Sequence, residues 1–129
     1  MKKNIFGDIM KIAVTSTGKD LDSELDPRFG RALYFIIVDP DTMKYEVVNN
    51  EQNLDLPQGA GIQAAKTIVN NHADVLITGS CGPKAFYALD RAGVKIVTDV
   101  KGQVKEAVLK YKNNELSSAS GANVEGHWV

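Results

Sequence analysis

The sequence predicts a three-layer α/β fold: a five-stranded mixed sheet, spatial order 3-2-1-4-5, covered by helices on both faces. Three observations predict it. Short apolar runs of strand length recur along the chain, and from residue 59 onward they alternate with stretches of helical spacing. One run, Met43–Asn49, instead follows a turn directly and alternates apolar with polar, as an antiparallel edge strand does. Right-handed crossovers then set the later strands parallel to the first.

Each element has its own signal. Lys11–Thr15 (K-I-A-V-T) is apolar and β-branched, a first strand. The polar stretch Ser16–Phe29 lacks periodicity, and a loop this long in a small domain is often functional. Leu33–Val38 is apolar on both faces, hence a central strand. Asp39-Pro40-Asp41-Thr42 has turn chemistry, with proline at the second position of a type I turn. In Met43–Asn49, Tyr45 and Val47 share one face of a half-exposed strand. Asn50–Gln58 is a loop. Gly59-Ala60-Gly61 opens a helix in which Ile62, Ala65 and Val69 share a face, ending at Asn70-Asn71. Val75–Ile77 is a buried strand, Thr78–Gly82 a tight turn, and Pro83 the first residue of a second helix carrying Ala85, Ala88, Leu89 and Ala92. Gly93 stops that helix, and Val94–Val97 is the fifth strand. Val104, Ala107, Val108 and Tyr111 mark a third helix. The expected division is an extension over 1–9, one α/β domain over 10–112, and a flexible, Ser-, Gly- and Asn-rich tail over 113–129.

Composition narrows the function. The 129 residues suit one domain. Fifteen basic against sixteen acidic residues leave a net charge of −1, which gives no electrostatic case for nucleic acid as a partner. No apolar run approaches the ~18 residues of a membrane span, so no membrane partner is expected. Met1–Met10 has two lysines but no apolar core, and is not read as a signal peptide. A lone cysteine forms no internal disulfide, which favours a cytoplasmic setting.

The candidate site is the crevice at the carboxyl end of the sheet, where open α/β sheets take their ligands. Gly79, Ser80, Cys81 and Gly82 lie between a strand and a helix amino end, where free N–H groups favour anions. Cys81 is soft enough to ligate an iron–sulfur cluster or copper, and a helix amino end lowers a thiol pKa. Equally, free cysteine is often a small buried apolar residue, and one thiolate is a poor cluster site. Arg28-Phe29-Gly30-Arg31 offers two cations at the crevice mouth, unless they only pair with Asp22, Glu24 or Asp26. Gly59 and Gly61 could cradle an anion or simply permit a tight entry turn, and Ser16 and Thr17 follow the first strand toward the same crevice. His72 suits a helix end more than a metal. His127 in the tail is the other metal candidate. There is no P-loop, dinucleotide fingerprint or C-x-x-C.

Met10–Val14, Arg28–Ala32, Gly59–Gly61, Gly79–Ala85 and Leu89–Gly93, in that order and spacing, resemble the dinitrogenase iron–molybdenum cofactor biosynthesis family over roughly residues 10 to 112. The resemblance implies a ribonuclease-H-like fold. It also implies noncatalytic binding or carriage of an iron–sulfur or iron–molybdenum cluster precursor, with cluster-assembly proteins as partners. Many members carry histidine where this chain has Arg28, and an arginine cannot ligate metal.

Two other functions stand beside this one. A regulatory module with an anion-binding crevice would meet its partner through the edge strand Met43–Asn49. A ribonuclease-H-like hydrolase would need carboxylates inside the sheet for two metal ions. Lys11–Thr15 has none, and Asp39 and Asp74 stand at strand ends.

Overall fold

The computed structural model describes residues 10–124. The strands are β1 (Ile12–Ser16), β2 (Tyr34–Val38), β3 (Tyr45–Asn49), β4 (Val75–Ile77) and β5 (Lys95–Val97). The helices are α1 (Ala60–Asn70), α2 (Pro83–Arg91) and α3 (Val104–Lys112), with a 3₁₀ turn at Glu51–Asn53. The strands form one sheet in the order β3-β2-β1-β4-β5. β2 is antiparallel to both β1 and β3, whereas β4 runs parallel to β1 and β5. This is the expected mixed sheet.

Alternation along the strands divides the core in two. Ala13, Phe35, Ile37, Leu76 and Ile96 face α1 and α2 and pack with Ala64, Ile68, Ala85 and Leu89. Ile12, Val14, Ile36, Val38, Val75, Ile77 and Val97 face α3, meeting Val104, Ala107 and Val108. Helices thus cover both faces, giving three layers. Leu89 is wholly buried, so its truncation to alanine would cost about 2–5 kcal/mol.

All three helices close the same way. Val94 N–H donates to Leu89 O at 3.0 Å and Gly93 N–H to Asp90 O at 3.0 Å, with Gly93 at φ 84°. His72 (φ 59°) and Asn114 (φ 61°) hold the equivalent left-handed positions after α1 and α3. His72 therefore ends a helix and is exposed.

Some local expectations are corrected. β1 extends through Ser16. Met43 is not in β3: it sits at φ 61° inside a wider turn, its N–H bonded to Asp39 O at 2.7 Å, and its side chain packs on the α3 core. The buried face of α1 is Ala60, Gly61, Ala64, Ala65 and Ile68 rather than the face through Val69, which is 37% exposed. Small residues let α1 lie close to its neighbours, and the larger apolar residue points outward. Among the described residues no helix is long and apolar enough to cross a membrane.

Candidate functional site

β1 and β4 are parallel neighbours whose chains leave in opposite directions, β1 returning to β2 and β4 going on to α2 and β5. That is a topological switch point, where a crevice opens at the carboxyl edge. The segment after β1 crosses this edge and meets the turn after β4. Arg28 and Ser80 form a parallel backbone bridge, Phe29 N–H donates to Ser80 O at 3.2 Å, and Ser80 Oγ donates to Pro27 O at 2.8 Å. Two buried hydroxyls brace the junction from below. Thr78 Oγ1 lies 3.0 Å from Thr15 Oγ1, which donates to Asp26 O at 2.6 Å.

The junction brings the two expected motifs together but gives their residues unequal parts. Arg28 is exposed, and its N–H donates to Asp26 Oδ1 at 3.1 Å. Burial pushes the Asp26 carboxyl pKa up, opposed by the N–H groups of Arg28 and Leu33 and by the Arg28 charge. Phe29 is a core residue, its ring centroid 5.6 Å from that of Phe35, and Gly30 is buried. Arg31 is half-buried and turned to the neighbouring loop. Its Nη1 donates to Asn53 O (3.3 Å), Leu54 O (3.2 Å) and Leu56 O (2.8 Å). The Asn50 carboxamide, donating to Gly30 O and Ala32 O, ties the same two segments. Ser16 is buried, and its hydroxyl bonds Gly18. Thr17 is exposed, with its hydroxyl on Glu24 O at 3.0 Å. Of the acidic residues weighed as partners for the arginines, Asp26 stays beside Arg28, whereas Asp22 is 3.9 Å from Lys105.

The glycines also differ. Gly59, at φ 84°, caps α1, and Gly61 is buried within its first turn. Gly82 caps α2 in extended conformation. Neither helix has a side-chain cap, whereas at α3 Glu106 Oε1 accepts the Gln103 N–H at 3.2 Å. The amino ends of α1 and α2 thus lie at the carboxyl edge without an N-cap side chain. Gly79 makes room for the Pro27 backbone rather than for a ligand.

Of the two readings of Cys81, the structure takes the small buried apolar residue. Its side chain is fully buried among Phe29, Ala85 and Leu89, and burial pushes the thiol pKa up to about 12. Desolvation of a thiolate outweighs the helix amino end here. The thiol is protonated at neutral pH, which corrects the reactive, lowered-pKa reading. Among the described residues no group of three His, Cys, Asp or Glu side chains could hold a metal ion. His127 lies outside the described residues.

The segment after α3 carries a residue the sequence did not flag. Leu116 packs on the α3 side of the core, and Ala119 N–H donates to Ile96 O at 2.7 Å. Asn123 then bonds the Cys81 turn through its side chain and its backbone. A lone asparagine in a polar tail gives no signal of this. Lys19 was also missed: it lies 5.5 Å from the Tyr34 ring, at the same edge. A depression of about 200 Å³ lined by Lys11, Ile37, Val38, Asp39, Lys44, Tyr45 and Glu46 lies at the opposite edge, away from these residues.

Comparison with known proteins agrees with the fold. The family model described as dinitrogenase iron-molybdenum cofactor matches residues 10–114. The apo form of the orange protein from Desulfovibrio gigas is 44% identical, with a TM-score of 0.87 over 90% of this chain and 98% of that one. A Thermotoga protein described as a candidate NifB protein of the DUF35 family is 34% identical, with a TM-score of 0.77 over 92% of this chain and 100% of that one. A Methanocaldococcus jannaschii protein described as a candidate dinitrogenase shares the fold at 20% identity and a TM-score of 0.62, over 88% of this chain and 97% of that one. No curated protein matches the chain significantly.

Proposed function

The chain belongs to the dinitrogenase iron-molybdenum cofactor family, and from that premise we propose that it binds and carries an anionic iron–sulfur or iron–molybdenum cluster precursor without catalysing a reaction on it. The observation that carries this reading is the Arg28–Ser80 bridge, which sets the backbone of an exposed arginine beside the turn that opens α2. Arg28 supplies charge that long-range attraction can use. The uncapped amino ends of α1 and α2 supply N–H donors and partial positive charge. This donor set suits an anion held by charge and hydrogen bonds. It does not suit coordination, because the Cys81 thiol is buried and protonated. The protein would act in the cytoplasm, passing its cargo among cluster-assembly proteins.

A hydrolase is disfavoured by β1, which carries no carboxylate over Ile12–Ser16. A regulatory module is the second reading. It is favoured by β3, an edge strand whose Tyr45 and Val47 are 41% and 38% exposed.

The test is anaerobic titration with a synthetic iron–sulfur cluster, followed by absorbance. The reading expects saturable binding by the wild type that weakens with salt and with Arg28→Ala. No binding under any salt condition would remove it.

A further inference from the structure

We propose that residues 115–124 form an exchangeable latch over the candidate site, in which the Asn123 carboxamide occupies the turn N–H that the cargo anion takes. This rests on the cluster-binding reading above. Asn123 Oδ1 accepts the Cys81 N–H at 2.8 Å. Its Nδ2 donates to Gly79 O at 2.9 Å and to Asp99 Oδ1 at 3.1 Å. Its own N–H donates to Cys81 O at 3.2 Å. One residue thus holds both the N–H and the C=O of Cys81, at the entrance to α2.

Two features make the seat a competitor rather than a fixture. The first is chemical. A neutral amide oxygen is a weaker acceptor than an anionic oxygen or sulfur, so an anion brought in by Arg28 displaces it. The second is mechanical. Asn123 is exposed, as are Ser120, Gly121 and Ala122, and the segment's apolar hold is limited to half-buried residues such as Leu116 and Ala119. Exposed hydrogen bonds with little buried apolar area mark a segment that opens locally at low cost.

Opening frees the Cys81 N–H while the turn itself stays fixed by Phe29, Ser80 and Pro27. The cargo then binds only the open fraction, and the measured affinity falls by that fraction. A residue that merely braces the turn behaves in the opposite way, because its removal loosens the site and weakens binding.

The experiment uses the full chain, as wild type and Asn123→Ala. Amide hydrogen exchange is read by NMR without cargo, and affinity by anaerobic titration with a synthetic iron–sulfur cluster. In Asn123→Ala the Cys81 amide exchanges roughly tenfold faster while the Val14 amide in β1 is unchanged. The cluster binds that variant roughly threefold tighter or more. Unchanged Cys81 exchange in Asn123→Ala, or equal or weaker cluster binding by that variant, overturns the latch. Failure of the underlying reading looks different: Cys81 exchange responds to Asn123→Ala, but no form of the protein takes up the cluster. The competition is then overturned with it.

Discussion

Pro27 and Gly79 pass backbone against backbone: a methyl group built on Gly79 would stand 2.6 Å from Pro27 O and 2.8 Å from Pro27 Cα. The segment after β1 can reach the turn after β4 only because residue 79 has no side chain. Gly79→Ala should therefore force the two apart and destabilise the fold by about 1–3 kcal/mol. Gly121→Ala is the control, since nothing lies within 4 Å of its added methyl. Thermal unfolding of both variants checks this, with a lowered Tm expected for Gly79→Ala alone.

Arg31 and Arg28 should separate stability from binding. Removing the Arg31 guanidinium leaves three carbonyls of the 53–56 loop without their donor. Charged hydrogen bonds of this kind contribute about 1.5–3 kcal/mol. Arg31→Ala should lower the denaturant midpoint clearly. Arg28→Ala, at an exposed side chain, should leave it nearly unchanged. Equal midpoints for the two variants would contradict the division.

Cys81 should make stability fall at high pH. Its folded pKa, about 12, lies above the ordinary value of 9.0. Between those values the unfolded chain has released the proton and the folded one has not, so unfolding gains ground as pH rises. The stabilising difference is complete below about pH 9 and is lost progressively toward pH 12. Denaturant titrations of wild type and Cys81→Ala from pH 8 to about pH 11 should therefore converge or cross in the direction that favours the variant. A constant gap over that range would contradict the buried, protonated thiol.

Much of the fold was legible because it follows from local chemistry. The β-branched runs at Ile12, Ile36, Val75 and Ile96 could bury themselves only as strands, and the turn at Asp39-Pro40 made the hairpin. Right-handed crossovers then set β4 and β5 parallel to β1. The meeting of the Arg28 and Ser80 segments was legible for the same reason, since both leave the sheet at one edge. The direction of single side chains was not. Arg31 is a cation in the sequence whether it faces solvent or three carbonyls. Cys81 sits in a turn, where no periodicity says which side is inward. Val69 on α1 is apolar yet outward, because the close approach is made through Ala64 and Ala65. Asn123 is distant in sequence from everything it bonds, and only the folded chain brings it to Cys81.

The most direct test of the account is cluster capture at several salt concentrations, comparing wild type, Arg28→Ala and Cys81→Ala under anaerobic conditions. A cluster held by charge and backbone donors should bind the wild type more weakly as salt screens the guanidinium. Arg28→Ala should lower the affinity and flatten that salt dependence. Cys81→Ala should keep both the affinity and the paramagnetic resonance of the bound cluster, because a buried, protonated thiol does not reach the metal. Capture that ignores Arg28→Ala, together with an altered resonance in Cys81→Ala, would contradict the account and return the cysteine to the metal.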